Sequence, residues 1–292
     1  MMRFSLAETM CEPTQYVPLA KAAEESGFHA YTIPDSLAYP EVSDSKYPYT
    51  PDGNRQFLEN KPFIEPFSLI PALGMVTQHL RYHTFVLKLP MRHPVLAAKQ
   101  AGSVAVMTGN RLSLGVGLSP WPEDFRITGV PWEGRGKRMD EMIDIMRGLW
   151  TGNFFAYDGQ HFKIESIKMC PAPTVPVPVL IGGHSEAALR RAARIGDGWM
   201  HAGGDGTVLL DLLKQLAGYR KEYGRENAPF EIHVISMDAY SIDGLKKLED
   251  LGVTDVIVGF RKAYESDSTP LEKKLSAIRR YGDSIIARAK AA

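Results

Sequence analysis

Short apolar runs rich in β-branched residues recur along the chain, and each is followed by a segment whose apolar residues return at helical spacing. A strand that alternates with a helix in this way is typical of a parallel sheet. Eight strands are predicted: Arg3–Ala7, His29–Ile33, Leu80–Leu87, Arg111–Val116, Pro178–Ile181, Gly198–His201, Glu231–Ser236 and Asp255–Val258. Eight consecutive units predict an α/β fold, a closed (β/α)8 TIM barrel.

Eight helices are predicted to follow these strands. They are Tyr16–Ser26, Phe67–Thr77, Pro94–Met107, Arg135–Trp150, Ser185–Arg194, Thr207–Tyr223, Ile242–Leu251 and Leu271–Lys290. End signals support them, such as Ser185 as a cap, Pro94 in a first turn and Gly27 after a last turn. Because no linker rich in Gly, Ser or Pro splits the chain, residues 1–292 are predicted to form one domain.

Two segments are too long for a minimal barrel. Ala38–Pro62 is a polar, proline-bearing loop after the second predicted strand, and Gly152–Pro176 is predicted to be a hairpin inserted after the fourth predicted helix. Loops of this length are usually functional or disordered. Since the first follows the carboxyl end of a strand, where barrels place their chemistry, it is interpreted as a substrate lid with Tyr47 and Tyr49 near its tip. A solvated loop is the alternative.

Charge and cysteine content narrow the function classes. Lys and Arg together number 34, as do Asp and Glu, which gives a formal net charge of zero. Nucleic-acid and membrane-surface binding depend on clustered positive charge, so neither partner is expected. Cys11 and Cys170 form no C-x-x-C motif and fit a reducing compartment. The N-terminal residues lack the features of a signal peptide, and no apolar run reaches the length of a membrane span, so we expect a cytoplasmic protein.

A glycine turn is the clearest candidate binding feature. Gly182 and Gly183 follow the fifth predicted strand, and His184 and Ser185 lead into the next helix. Glycines let backbone amides approach an anion, and a helix start supplies unpaired N–H groups with a favourable dipole. These four residues are predicted to bind a cofactor phosphate, with a purely structural connection as the alternative.

Other candidates lie at strand ends, on the expected catalytic rim. Asp35 ends the second strand, either as a catalytic carboxylate or as a cap of the following loop. His201 ends the sixth strand, either in contact with substrate or cofactor or as a satisfied rim residue. Gly115 and Gly117 close the fourth strand and permit close passage of a planar ring. Arg261 follows the eighth strand, where a cation can meet an anionic group or simply face solvent.

The remaining histidines do not suggest a metal site. His93 lies in an Arg-His-Pro sequence at a helix start and is interpreted as structural. No spacing typical of metal ligands is found for His29, His79, His83, His161 and His233. We therefore expect no metal.

One long stretch carries a family pattern. Residues 92–150 contain, in order, R-H-P before a helix, G-N-R-L-S-L-G-V-G, an acidic pair with an aromatic residue, G-V-P, and a helix that ends L-W. With I-G-G-H-S and G-D-G-W further on, this order resembles the bacterial luciferase-like monooxygenase superfamily. The loop sequence Y-P-Y-T-P-D-G looks like a feature of the branch assigned to the deazaflavin cofactor F420. The resemblance spans roughly residues 3–199.

The resemblance implies further cofactor contacts. Family members carry a non-proline cis peptide bond near the end of the third strand, and a side chain at this bond presses on the cofactor ring. The matching residues here are Thr84, Phe85 and Val86. Gly117 and Glu123 match positions near the ring and near the polar tail of the cofactor.

Three residues depart from the best-known branch. Ser36 stands where many members have histidine, Phe85 where a small residue is commoner, and Pro120 where one deazaflavin group has an acid. Sugar-phosphate chemistry is therefore not expected.

The implied function is hydride transfer between reduced F420 and a small organic substrate, with His201, Asp35 and Tyr47 as catalytic candidates and Tyr39 as a further proton donor. An FMN-dependent monooxygenase and a non-catalytic flavin-binding barrel are the alternatives. Family barrels usually pair through helices, and Phe67–Thr77 and Pro94–Met107 are apolar on more than one stripe, so a homodimer is expected.

Overall fold

Eight parallel strands form a closed ring in the computed structural model, which describes residues 1–43, 45–48, 50, 52–203, 206–261, 265 and 267–291. The strands of the chain are β1 (Arg3–Leu6), β2 (Ala30–Ile33), β3 (Arg81–Thr84), β4 (Leu87–Lys88), β5 (Leu112–Gly117), β6 (Phe155–Asp158), β7 (Lys163–Ile167), β8 (Val179–Gly182), β9 (Gly198–Met200), β10 (Glu231–Val234) and β11 (Asp255–Val258). The ring runs β3–β2–β1–β11–β10–β9–β8–β5 and closes by pairing of β3 with β5. The predicted TIM barrel is confirmed.

Helices surround the ring. They are α1 (Tyr16–Glu25), α2 (Pro66–Gly74), α3 (Pro94–Met107), α4 (Pro122–Thr128), α5 (Arg135–Trp150), α6 (Glu186–Ile195), α7 (Gly206–Glu222), α8 (Ile242–Asp250), α9 (Leu271–Tyr281) and α10 (Ala287–Ala291). Each predicted helix overlaps an observed one, whereas α4 was not predicted. The last predicted helix is observed as α9 and α10, joined by a π-helical turn at Gly282–Ile286.

Side chains along each barrel strand alternate between the interior of the ring and the surrounding helices. Leu180, Met200 and Ile257 pack together inside the ring, while neighbours such as Ile181 and Trp199 belong to the larger core between the ring and the helices. All five side chains are buried. The direction in which a strand-end residue points is therefore set by this alternation.

Two long connections extend beyond the barrel. The described residues between 34 and 65 connect β2 to α2 and reach the carboxyl ends of the barrel strands. After α5, β6 and β7 pair as an antiparallel hairpin. Glu141 of α5 accepts hydrogen bonds from the backbone N–H groups of Gln160, His161 and Phe162, which fixes the hairpin turn on the helix.

In the part of the chain that the structure describes, no helix combines the length and the apolar character needed to cross a membrane. The cytoplasmic location and the homodimer remain predictions.

Candidate cofactor and substrate site

A cavity of about 320 Å³ opens at the carboxyl ends of the barrel strands. We call it the main cavity. Its volume is at the lower end of the range for small-molecule sites, roughly 300–1,000 Å³. Residues that line it include Thr9, Thr32, Asp35, Tyr47, Phe57, Phe85, Val86, Lys88, Gly117, Trp121, Gly182, Gly183, Met200, Ile235 and Arg261. The wall is mostly apolar, and the polar groups are few, which is typical of a site for a planar organic molecule.

One wall of the main cavity is formed where β3 ends. The peptide bond between Phe85 and Val86 is cis, as the family resemblance implies, and both side chains line the cavity. A Cβ added to Gly117 would lie 2.8 Å from Val86 Cγ2, and one added to Gly182 would lie 2.8 Å from Val86 Cγ1. The two glycines therefore leave the space that the Val86 side chain fills. Thr84 does not line the cavity, because its hydroxyl donates to the Gly115 carbonyl at 2.7 Å.

The glycine turn, residues 182–185, leads from β8 into α6. Gly183 has a φ of 122°, a conformation that side chains with a Cβ rarely adopt. Ser185 caps α6 by accepting a hydrogen bond from the Ala188 N–H at 3.3 Å, and the first N–H groups of a helix have no partner within it. Gly182 and Gly183 line the main cavity, whereas His184 and Ser185 stand behind them. The turn thus has the features of an anion site.

His201 does not lie on the cavity wall. Because Met200 faces the cavity, alternation directs the His201 side chain toward the helices, where it is fully buried. Its ring stacks on that of His184, with centroids 4.6 Å apart and an interplanar angle of 16°. Its Nδ1 accepts a hydrogen bond from the Gly203 N–H at 3.3 Å, and His184 Nε2 accepts one from the Ala202 N–H at 3.0 Å. This pair lies beside the glycine turn and away from the cavity wall, and a catalytic role of His201 stays a prediction.

The burial of His201 predicts an acid-sensitive stability. An unfolded histidine titrates near pH 6.5, whereas burial, helped by His184, lowers the pKa of folded His201 to about 4. Between these values the unfolded state binds more protons, so the free energy of unfolding falls as the pH falls. We expect His201 to account for a loss on the order of 2 kcal/mol over this range.

Urea denaturation of His201→Gln between pH 7 and 4.5 should therefore show a shallower pH dependence than the wild type. Some dependence will remain, because burial also holds the pKa of His83 well below its ordinary value. The exposed His79 supplies the control, since His79→Gln should keep the wild-type slope. An unchanged slope in His201→Gln would contradict the assignment.

Asp35 lies at the cavity edge, but its carboxylate is occupied by a hydrogen bond and an ion pair within the protein. Its carboxylate accepts from the Lys88 N–H at 2.9 Å and pairs with the Arg92 guanidinium at 2.9 and 3.0 Å. The side chain is only 3% exposed. Asp35 thus ties the end of β2 to β4 and places a fixed negative charge beside the cavity.

A buried ion pair at the same edge was not predicted from the sequence. Lys88 Nζ lies 2.7 Å from Asp124 Oδ2, and the side chains are 9% and 3% exposed. Ser119 donates a further hydrogen bond to Asp124. Lys88 also lines the main cavity. A charged residue inside the otherwise apolar run before Arg92 was the available signal.

The loop of residues 34–65 is attached to the cavity edge through aromatic and acidic contacts. Tyr47 lines the main cavity and stacks on Trp121, with ring centroids 5.7 Å apart. Glu123 in α4 accepts hydrogen bonds from the hydroxyls of Ser43 and Ser45. Burial alone would raise the pKa of Glu123, but these hydrogen bonds and the charge of nearby Arg55 outweigh it, and the pKa is lowered.

Glu123 does not line the main cavity, and its observed partners are the loop residues Ser43 and Ser45. A contact between Glu123 and a cofactor tail stays a prediction. Tyr49 lies outside the described residues. Arg261, after β11, does line the cavity.

A polar cluster occupies the opposite end of the barrel. His83, His233 and Asp255 are buried there, and the candidate ligand atoms lie within 4.8 Å of one another. Asp255 also pairs with Arg3 Nε at 3.3 Å, and His233 Nε2 lies 2.7 Å from Glu231 Oε2. The expectation of a chain without metal remains a prediction.

Comparison with known proteins places this site in a family. The sequence pattern of luciferase-like monooxygenases matches residues 5–244. An uncharacterized protein of Mycobacterium tuberculosis is 57% identical over 289 residues, which is 98% of this chain and 100% of that protein. An F420-dependent glucose-6-phosphate dehydrogenase of Gordonia bronchialis is 30% identical over 213 residues, which is 70% of this chain and 58% of that protein.

The solved structure of the coenzyme F420 dependent tetrahydromethanopterin reductase from Methanopyrus kandleri has the same fold. Its TM-score is 0.75 at 15% identity, and the match covers 98% of this chain and 99% of that one. The match of the family pattern over most of the chain, together with a barrel whose cavity lies at the strand ends, shows that this chain belongs to the luciferase-like monooxygenase family and is an oxidoreductase.

Proposed function

We propose that the chain is an F420-dependent oxidoreductase that transfers a hydride between the deazaflavin and a small organic substrate. The observation that carries this proposal is the main cavity, which combines an apolar wall at Phe85 and Val86 with the glycine turn at the start of α6. An apolar, nearly flat surface suits a planar ring, and a helix start suits a phosphate. When bound, the deazaflavin supplies the redox chemistry, so the protein needs no nucleophile.

The residues of the chain then position and shield the reactants. Phe85 and Val86 would hold the ring of the cofactor, and the glycine turn would hold its phosphate. Tyr47 of the loop of residues 34–65 stacks on Trp121 at the cavity wall, and this contact limits the access of water. Of the three catalytic candidates, Tyr47 and Asp35 line the cavity, and the Asp35 carboxylate already accepts from the Lys88 N–H and pairs with Arg92. The Tyr47 hydroxyl is a hydrogen-bond donor. We therefore assign the proton donor to Tyr47.

An FMN-dependent monooxygenase is the second candidate, favoured by the description of the matching family. The cavity wall suits either ring. The experiment that separates them is an equilibrium titration with F420 and with FMN, each followed by the fluorescence of the cofactor. We expect F420 to bind more tightly by about 10-fold or more, and tighter binding of FMN would overturn the first proposal. Tight binding of F420 without oxidation of its reduced form by any substrate in a broad panel would favour a non-catalytic barrel.

The glycine turn can be tested in the same titration. Gly183→Ala introduces a Cβ at a φ of 122° and 3.0 Å from the Ala188 Cβ, which disturbs the anion site. We expect F420 affinity to fall about 10-fold, as the loss of one charge-assisted hydrogen bond would cause. Gly252→Ala is the matched control, because Gly252 also has a positive φ (82°) but follows α8 in open space. Equal loss of affinity in both variants would show that backbone strain alone explains the result.

A further inference from the structure

A second, smaller cavity of about 150 Å³ lies under the loop of residues 34–65. We call it the side pocket. It shares four wall residues with the main cavity, namely Ser36, Leu58, Phe63 and Trp121. An engineered cavity of similar volume holds a benzene molecule, so the side pocket has room for a charged group with a few carbon atoms. A ligand in the main cavity can therefore extend one end into it.

The side pocket is cationic. Arg55 and Lys61 line it, and no Asp or Glu is found among its lining residues in the described ranges. Ser36 and Asn60 add neutral hydrogen-bonding groups. The charged side chains found on the wall of the side pocket are thus both positive, whereas the wall of the main cavity is mostly apolar.

Within the described residues, Arg55 is held in place without a carboxylate ion-pair partner. The residue is 9% exposed, and its guanidinium carbon lies 4.8 Å from the ring centre of Trp121 and 5.2 Å from that of Tyr39. Its hydrogen bond to the Pro40 carbonyl is long, at 3.4 Å. The charge of Arg55 reaches Glu123 and lowers its pKa, but no ion pair joins the two within the described residues. A buried guanidinium has five N–H donors and is costly to leave unpaired, so this one is positioned for an anion.

We propose that the side pocket binds the carboxylate of an organic acid whose apolar part lies in the main cavity. Arginine pairs with carboxylates through two parallel hydrogen bonds, and stacking on Trp121 and Tyr39 fixes the plane of the guanidinium. This inference rests on the proposed function, because it names the substrate class of the same site. It assigns Arg55 as a substrate-binding residue.

The test compares two probes of the same shape and different charge, hexanoate and hexanamide. Their binding to the wild type, to Arg55→Gln and to Lys46→Gln is measured by calorimetry, with and without F420. Lys46 is exposed on the same loop, so Lys46→Gln removes an equal charge outside the pocket. We expect the wild type and Lys46→Gln to favour hexanoate by about 10-fold, and Arg55→Gln to lose most of this preference with unchanged affinity for hexanamide, because Lys61 remains in the pocket.

Equal binding of the two probes by the wild type, or a preference that is undiminished in Arg55→Gln, would overturn the proposal. Inorganic phosphate at matched ionic strength is the competing anion, and stronger binding of phosphate than of hexanoate would overturn the choice of a carboxylate. If Arg55→Gln does not fold, Arg55→Lys keeps the charge without the planar fork, and we expect it to retain a reduced preference. If the wild type does not bind F420 but still prefers hexanoate, the proposed function is contradicted and the carboxylate site is not.

Discussion

Replacement of Asp124 by alanine is expected to lower the free energy of unfolding by about 3–5 kcal/mol, because it leaves the Lys88 ammonium buried and unpaired. The two side chains are 2.7 Å apart and almost inaccessible to solvent. Urea denaturation at pH 7 measures the effect. The pair Lys163–Asp158 supplies a control at a similar distance, 3.0 Å, with side chains 81% and 79% exposed. There Asp158→Ala should cost less than about 1 kcal/mol.

The double variant Lys88→Met, Asp124→Ala tests the cause of this loss. If the unpaired charge is responsible, removal of the lysine as well should recover part of the stability, and the two substitutions will not be additive. A loss in Asp124→Ala as small as that in Asp158→Ala would show that the pair contributes little. A double variant whose loss of unfolding free energy equals the sum of the two single losses would show the same.

Most of the barrel could be predicted because its evidence is local. A buried parallel strand is a short apolar run, and a helix shows apolar residues at helical spacing and typical residues at its ends. Each of the eight strand–helix units could therefore be recognised from its own segment of sequence. The break between β3 and β4 was not visible. Residues on both sides of the Phe85–Val86 peptide are apolar and were consistent with one continuous strand.

Helix α4 shows a different limit. Its sequence carries start and stop signals, with Pro122 in the first turn, two acidic residues after it and Gly129 at a φ of 69° after the last turn. At seven residues it is too short to display helical periodicity. It is therefore absent from the eight predicted helices.

The residues of the candidate site also differ in whether their evidence in the sequence is local. The glycine turn could be predicted because its four residues are consecutive and their chemistry is local. The position of His201 could not, since a strand buried on both faces does not show which side chains point into the ring. The Lys88–Asp124 pair joins residues 36 positions apart, and the Arg55–Trp121 contact joins a loop to the edge of another unit. Contacts of this kind depend on the closed ring, and the sequence does not show which residues meet.

Gly115→Ala is expected to destabilise the protein by about 3 kcal/mol, at the upper end of the range for an overpacked core. A Cβ at this position would lie 2.0 Å from the Thr84 carbonyl oxygen and 2.5 Å from Met200 Sδ. The methionine side chain can move aside, but the Thr84 carbonyl belongs to the backbone of β3 that leads into the cavity wall. Relief of the clash must displace Phe85, so affinity for F420 should fall together with stability.

Gly218→Ala is the matched control, because Gly218 lies within α7 and nothing is found within 4 Å of the position of its added Cβ. There alanine favours the helix, and we expect a gain of about 0.5–1 kcal/mol. Urea denaturation of both variants, followed by titration with F420, measures the two effects. A Gly115→Ala variant within about 1 kcal/mol of the wild type and with unchanged F420 affinity would show that β3 and β5 can separate without disturbing the cavity wall.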